Sequence, residues 1–280
     1  MLGRLTRALA HADDLLAAAA LSNAPALKAQ AHAAAGEILV HQGKLAEGLA
    51  HLEDGVRHLR AAPPDSIPAQ NAAVACAAYA GWATALMGDT QAAQRHLETS
   101  EWLRDLRPNP FAAAIHAGLG ADLLIFAGDA PGALALADEA IRISREHNFP
   151  FWLGTGLVER GWALAQLGDS RAGVAAATEG IAIFEATGAG VQLANWYGFL
   201  AEALLADGRC DDGLAAADRA LACAAETGDI YFTPRIHVTA AQLAERLGDR
   251  TRADDHAARA RDLARRIGIG PHLVPSEIDG

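Results

Sequence analysis

The 280-residue sequence has only three cysteines, so it offers little scope for stabilisation by disulfide bonds. Cys76, Cys210 and Cys223 lack the spacing of a metal site and cannot all pair, which suits a reducing compartment. The sequence also lacks an uninterrupted apolar run of the roughly 18 residues that a membrane helix needs. Near the N terminus, Asp13 and Asp14 break the apolar pattern that a secretory signal requires. We therefore expect a soluble, cytoplasmic protein.

Basic residues are also scarce, since 23 Lys and Arg stand against 34 Asp and Glu, a formal net charge of −11. Nucleic acids and anionic membranes both demand a basic face. The one local basic run, Arg259 to Arg266, is interleaved with Asp262 and follows Asp254 and Asp255, which is typical of a solvated helix face. We expect neither nucleic acid nor a membrane as the partner.

Motifs for catalysis and for cofactors are missing as well. No G-x-S-x-G nucleophile turn is present. The segment Gly43-Lys44-Leu45 lacks both the earlier glycine and the following Ser or Thr of a phosphate-binding loop. Gly154-Thr155-Gly156 lacks the preceding strand and the third glycine of a dinucleotide-binding loop. The sequence predicts no cofactor.

What the sequence does contain is a repeated helix pair, clearest between Leu157 and Ile183. A helical face ends at Leu167, Gly168 and Asp169 interrupt it, and a second helical face follows. Gly168 supplies the left-handed residue that ends the first helix, and Asp169 can cap the free amides of the second.

The same kind of turn between two helices recurs along the chain, first after 45 residues and then four times after 40 residues. The turn glycines are Gly43, Gly88, Gly128, Gly168, Gly208 and Gly248. Seven residues before each turn, and five and twelve after it, every residue is small, which lets two helix axes approach to about 8 Å. This register predicts a single elongated solenoid domain over residues 1–267 and an irregular tail over residues 268–280.

The ends of the array depart from the regular pattern. One period before Gly43 lies Gly3, so residues 4–21 are predicted to be the second helix of an incomplete pair, the alternative being an independent capping helix. The proline-containing segment Ala61–Pro68 accounts for the five extra residues of the first interval, and we interpret it as a longer loop. The leading helix carries Leu5 and Leu9 with no preceding helix to cover them. We expect it to dock, most simply in a homodimer, or else against an upstream segment.

The three columns of small residues resemble the tetratricopeptide repeat (TPR) over nearly the whole chain. The unit of 40 residues is longer than the usual length of about 34. The resemblance implies an all-α, right-handed superhelix of six helix pairs plus the leading helix. More narrowly, Glu179–Leu221 resembles the long helical repeats that follow the ATPase module of large bacterial regulators and cyclase-fused signalling proteins, although this sequence has no ATPase motif.

The resemblance also implies that the first helix of each pair lines a concave groove. The position just after the small residue that precedes each turn reads acid, aromatic, acid, aromatic, acid and then glutamine. Carboxylates between indoles suit a cationic or amphipathic ligand, through cation–π contacts worth about 0.5 to 2 kcal/mol each. In the alternative interpretation the tryptophans are buried against neighbouring helices and the acids face water. The predicted groove residues are Glu37, His41, Trp82, Asp122, Phe126, Trp162, Asn195, Glu202 and Arg235.

These features predict a non-catalytic binding scaffold in bacterial regulation or assembly, with a peptide or protein segment as the ligand. A small-molecule-sensing regulatory domain is the second interpretation. The third is an enzyme that uses Glu37, Asp122 or Glu202 as an acid or base beside His41. No histidine metal site is expected, because histidines that share one repeat position are separated by the stacking of the repeats, about 8 to 10 Å.

Overall fold

The structure is a computed structural model that describes residues 3–61 and 66–274. Within these ranges the chain forms thirteen α-helices and no strand. The helices are α1 (Gly3–Ala20), α2 (Pro25–His41), α3 (Leu45–Ala61), α4 (Ile67–Met87), α5 (Thr90–Asp105), α6 (Pro110–Ala127), α7 (Ala130–His147), α8 (Pro150–Gln166), α9 (Ser170–Ala186), α10 (Leu193–Ala206), α11 (Cys210–Thr227), α12 (Thr233–Arg246) and α13 (Arg250–Ile267).

The helices form six pairs, α2/α3 to α12/α13, behind the leading helix α1, which confirms the predicted all-α architecture. The first helices of successive pairs pack side by side and form an inner layer. The second helices lie outside and bury only one face. Of the predicted long loop, residues 62–65 lie outside the described residues, as do residues 275–280 of the predicted tail.

The turns within the pairs have the predicted geometry. All six turn glycines have positive φ angles, from 72° to 96°. In four turns the next residue is an aspartate whose carboxylate accepts a hydrogen bond from the backbone N–H three residues later, at 2.8 to 3.3 Å. These aspartates are Asp89, Asp129, Asp169 and Asp249. A second left-handed column follows the second helices of the last four pairs, again 40 residues apart, at Asn148, Gly188, Gly228 and Gly268.

The small residues of the repeat are the points of closest approach between paired helices. A Cβ atom on Gly161 would lie 2.6 Å from the carbonyl oxygen of Gly173 and 2.7 Å from the amide nitrogen of Ala177. A Cβ atom on Gly173 would lie 2.5 Å from the carbonyl oxygen of Gly161. Backbone therefore touches backbone between α8 and α9, as the small columns predict.

The inner helices α4 and α6 are apolar on all sides because they are covered on all sides. Helix α6 is long and apolar enough to cross a membrane by length and composition, but 72% of that window is buried inside the protein. This is the pattern of a core helix.

The last two inner helices are shortened. Helices α10 and α12 have 14 residues each, whereas the other inner helices have 17 to 21. Because the period stays at 40 residues, the links before them, residues 187–192 and 228–232, are correspondingly longer. These two links turn toward the interior and take part in the site described below.

The leading helix α1 packs on α2 and touches α11. Leu5 is buried, whereas Leu9, Leu15 and Leu16 are half-buried, so the apolar stripe is partly covered by the chain itself. The homodimer through this helix stays a prediction.

The contact between α8 and α9 predicts the effect of a bulky residue at its centre. We expect Gly161→Leu to lower the free energy of unfolding by about 1 to 3 kcal/mol or more, because the new side chain meets backbone that cannot move aside cheaply. Thermal or denaturant unfolding followed by circular dichroism measures the change. Ala182→Leu, on the exposed face of α9, is the control and should unfold like the wild type. Equal stability of the two variants would contradict the repeat register.

Candidate functional site

The superhelix curls so tightly that its last link reaches its first inner helix. The backbone N–H of Ile230 donates to the carbonyl oxygen of His41 at 2.9 Å. The Nδ1 atom of His41 lies 3.0 Å from Oδ1 of Asp229, and both residues are only 1% exposed. The second carboxylate oxygen of Asp229 accepts from the backbone N–H of Gln192 at 2.7 Å. This buried network joins α2, link 187–192 and link 228–232.

The electrostatics of the network favour a charged imidazole. Burial lowers the pKa of His41, but the carboxylates of Asp229 and Glu37 outweigh it and raise the pKa above the ordinary value of 6.5. Gln192 adopts a left-handed conformation, with φ 76°, which a residue with a side chain takes up at a cost of about 1 kcal/mol or more. Its N–H is thereby held against Asp229, so the carboxylate receives both a charge and a backbone donor.

Two aromatic residues of link 228–232 fill the concave space. The ring centroid of Tyr231 lies 5.8 Å from that of Trp82, and the ring of Phe232 lies 6.0 Å from Phe126 and 5.1 Å from Phe199. Tyr231 and Phe232 are 1% and 2% exposed. The chain's own link therefore occupies the middle of the groove that the repeat pattern predicted.

The predicted groove residues point inward, but most of them meet the next inner helix rather than solvent. Glu37 accepts a hydrogen bond from the Tyr79 hydroxyl at 3.2 Å, and the Trp82 indole donates to the carbonyl oxygen of Leu119 at 2.7 Å. Trp82 and Asp122 have no exposed surface. The tryptophans are thus buried, as in the alternative interpretation, but Asp122 is buried with them, which that interpretation did not foresee.

Three of the predicted residues come together at one point. The guanidinium of Arg235 makes two hydrogen bonds to the Glu202 carboxylate, at 2.7 and 2.8 Å. The Trp162 indole donates to the same carboxylate at 2.6 Å. The guanidinium also lies 5.5 Å from the ring centroids of Trp162 and Phe232. Such a two-pronged ion pair on aromatic faces fixes the position of every member.

This ion pair lines a cavity of about 720 Å³. The cavity lies between the C-terminal ends of α6, α8 and α10 and one face of α12, and residues 272 and 273 form part of its wall. Thr239 and Gln242 of α12 face the cavity, whereas the inner helices of earlier pairs pack against the next inner helix. Apolar contacts come from Phe126, Leu205 and Val238.

A pair of carboxyl groups is sealed in the interior. Asp122 and Glu159 are both fully buried and lie within hydrogen-bond reach of each other, and neither carboxyl group accepts from any other described donor. Burial raises the pKa of both carboxyl groups, and the nearby Asp122 raises that of Glu159 further. The pair therefore requires a proton or a counter-charge. Among the described residues no group of three His, Cys, Asp or Glu side chains is placed to hold a metal ion.

The repeat pattern did not identify several of these residues as part of the site. Glu159 and Tyr79 occupy the same repeat position, one helical turn before the acid and aromatic column, and their chemistry was the available signal. Asp229, Tyr231 and Phe232 lie in a link, where no repeat register applies. The length of that link and its two adjacent aromatic residues were the only signs of its role.

Comparison with known proteins supports the fold. No protein-family model and no curated protein matches the sequence. Among solved structures, a Rap protein complexed with Competence and Sporulation Factor has a TM-score of 0.65 at 14% identity, over 91% of this chain and 80% of that one. BtubC from P. vanneervenii has a TM-score of 0.55 at 17% identity, over 80% of this chain and 92% of that one.

A third similar structure is the signal transduction ATPase with numerous domains from Pyrococcus horikoshii, which has a tetratricopeptide repeat sensor. Its TM-score is 0.54 at 12% identity, over 89% of this chain and 39% of that one. The protein therefore has the fold of TPR-like helical solenoids, which the columns of small residues predicted.

The ion pair between His41 and Asp229 predicts a pH-dependent loss of stability in Asp229→Asn. Because the pKa of His41 is raised in the folded state, the pair contributes its full stability below the ordinary value of 6.5 and loses it as the pH rises through the raised value. We expect Asp229→Asn to lower the free energy of unfolding by about 3 kcal/mol at low pH and by less at high pH.

Urea unfolding at about pH 6 and about pH 9 measures both values. The control is Asp218→Asn, which removes an exposed ion pair with Arg252 that is worth about 1 kcal/mol or less. An effect of Asp229→Asn that is equal at both pH values would show that His41 is neutral in the folded protein.

Proposed function

We propose that the protein is a non-catalytic binding scaffold that holds a short peptide or protein segment in the cavity beside Glu202 and Arg235. The observation that carries the proposal is the cavity itself. Its volume of about 720 Å³ falls within the range of roughly 300 to 1,000 Å³ that ligand sites occupy. A cavity of this size fits a few residues of a partner rather than a long peptide along the whole superhelix.

The lining of the cavity defines an amphipathic ligand. Phe126, Leu205 and Val238 offer apolar surface. Arg246, at the end of α12, donates to the carbonyl oxygen of Leu205 at 3.0 Å and is otherwise exposed. Because Arg235 neutralises Glu202, and Arg246 and Glu245 both line the cavity, the charges of the lining balance, so the cavity favours a ligand with an apolar part and a hydrogen-bonding part over a purely cationic one.

The similar structures agree with this role. One is a Rap protein complexed with Competence and Sporulation Factor, and another contains a tetratricopeptide repeat sensor. We retain the predicted role in bacterial regulation and the predicted cytoplasmic location as parts of this proposal. Catalysis is not part of the proposal, because Glu37 and Glu202 are engaged with Tyr79 and Arg235 and Asp122 is sealed from solvent.

A regulatory small molecule is the second candidate ligand. The observation that favours it is that Tyr231 and Phe232 fill the middle of the concave groove, so the free space is a local cavity of about 720 Å³ rather than a continuous trough. A molecule of drug-like size fills such a space, whereas a peptide must leave part of its chain outside.

The cavity predicts that a bulky residue at its rim abolishes binding. Ala206, the last residue of α10, is exposed and lines the cavity. A random-peptide display and a small-molecule thermal-shift screen against the wild type would supply ligands. We expect Ala206→Trp to weaken their binding at least about ten-fold in calorimetry, because the indole occupies their space.

Ala186→Trp is the matched control, since Ala186 is the exposed last residue of α9 and does not line the cavity. It should bind like the wild type. Ligands that bind equally well to all three proteins would place the binding site elsewhere, and failure of both screens with folded wild-type protein would refute the proposed function.

A further inference from the structure

Buried polar atoms without a partner are concentrated in one part of the interior. Among the described residues, thirteen buried side-chain nitrogen and oxygen atoms have no hydrogen-bond partner. Eight of them belong to five residues, two each on Asp122, Glu159 and Asn195 and one each on Thr155 and Tyr231. Native proteins leave few buried polar groups unsatisfied, and a bound ion or water is a common reason where they do.

The repeat places these residues on the neighbouring inner helices α6, α8 and α10 and on the link that fills the concave space. Thr155 and Glu159 lie one turn apart on the same face of α8, and Glu159 adjoins Asp122 of α6. Tyr231 lies beside Asn195 of α10 and within electrostatic range of Asp122.

The ion pair two repeats later provides an internal reference for this arrangement. Arg235 contacts Glu202, which precedes it by 33 residues. Thr155 follows Asp122 by the same 33 residues and occupies the equivalent repeat position. Thr155 therefore occupies the same position relative to Asp122 as Arg235 occupies relative to Glu202, but its side chain carries no positive charge.

The interior is short of positive charge. Asp122, Glu159 and Asp229 are each 1% exposed or less. His41 is bound to Asp229, and Arg235 is bound to Glu202. Two adjacent carboxyl groups in a dry interior are thus left without a counter-charge, an arrangement that is costly for charged groups. One shared proton would satisfy a single contact between them and leave the other oxygens open.

We propose that Asp122 and Glu159 bind a divalent hard cation, for which Ca²⁺ is the best fit, with Thr155 Oγ1 and Asn195 Oδ1 as neutral ligands. Together the four side chains offer six buried oxygen atoms, none of which accepts a hydrogen bond from a described backbone or side-chain N–H group. Ca²⁺ takes about six to eight oxygen ligands and accepts bidentate carboxylates and amide oxygens. Two carboxylates balance its charge. Mg²⁺ usually retains several waters, and Zn²⁺ prefers nitrogen and sulfur, so both suit this packed oxygen site less well.

Calcium dependence of thermal stability tests this inference on the full chain. Because the site is buried, the protein is unfolded with a chelator and refolded in Ca²⁺, in Mg²⁺ or in KCl of equal ionic strength. We expect Ca²⁺ to raise the melting temperature of the wild type in a concentration-dependent way. Elemental analysis after desalting should find one Ca²⁺ per chain.

Glu159→Gln should abolish both the temperature shift and the bound calcium. The matched control is Glu179→Gln, which alters an exposed carboxylate on α9 and should respond to Ca²⁺ like the wild type. Thr155→Val keeps the shape of the side chain and removes one neutral ligand, so it should bind Ca²⁺ several-fold more weakly. It also provides a test if Glu159→Gln does not fold.

Two results would overturn the inference. The first is a wild-type protein that neither binds calcium nor changes its melting temperature, with a stability that falls as pH rises in a manner dependent on Glu159. The carboxyl groups would then share a proton. The second is a calcium shift that persists in Glu159→Gln and Thr155→Val, which would place the cation on the acidic surface. Neither result bears on ligand binding in the cavity beside Arg235.

Discussion

The contact of backbone with backbone between paired helices is the constraint on which the rest of this structure depends. At Gly161 and Gly173 even a methyl group would collide with a carbonyl oxygen or an amide nitrogen of the facing helix. Helices this close make thin layers. We infer that thin layers let the array curve tightly enough for the sixth pair to meet the first. Closure of the superhelix, and with it the burial of the concave face, follows from the small residues.

The sequence was sufficient to predict the local structure because local structure has local causes. The left-handed glycines end the first helices and aspartates begin many of the second ones, as the sequence predicted for the turn at Gly168 and Asp169. Capping and close packing act over a few residues or one helix pair. Neither requires knowledge of how much the superhelix turns per repeat.

The interior could be predicted only in part, because its contacts join residues far apart in the chain. The pattern assigned Trp82 and Asp122 to the concave face, and both do point inward. Whether they meet water depends on the curvature and on links that follow no repeat rule. His41 finds its partner 188 residues away, at Asp229. Tyr231 and Phe232 lie in a link, so periodicity gave no information about their burial.

Differences between repeats, rather than their likeness, decide how the interior is filled. Links 187–192 and 228–232 are both long enough to turn inward, and identical links could exchange their contacts. Asp229 is matched one period earlier by Ala189, and Phe232 is matched by Gln192. Only the later link can therefore pair with His41 and fill the space beside Trp82. The earlier link instead supplies a backbone N–H to the Asp229 carboxylate.

A buried ion pair adds little net stability compared with apolar residues. It disfavours any arrangement in which the partners do not meet, because an unpaired buried charge is energetically costly. The ion pair between His41 and Asp229 thus selects one closure among those that the regular repeats would allow.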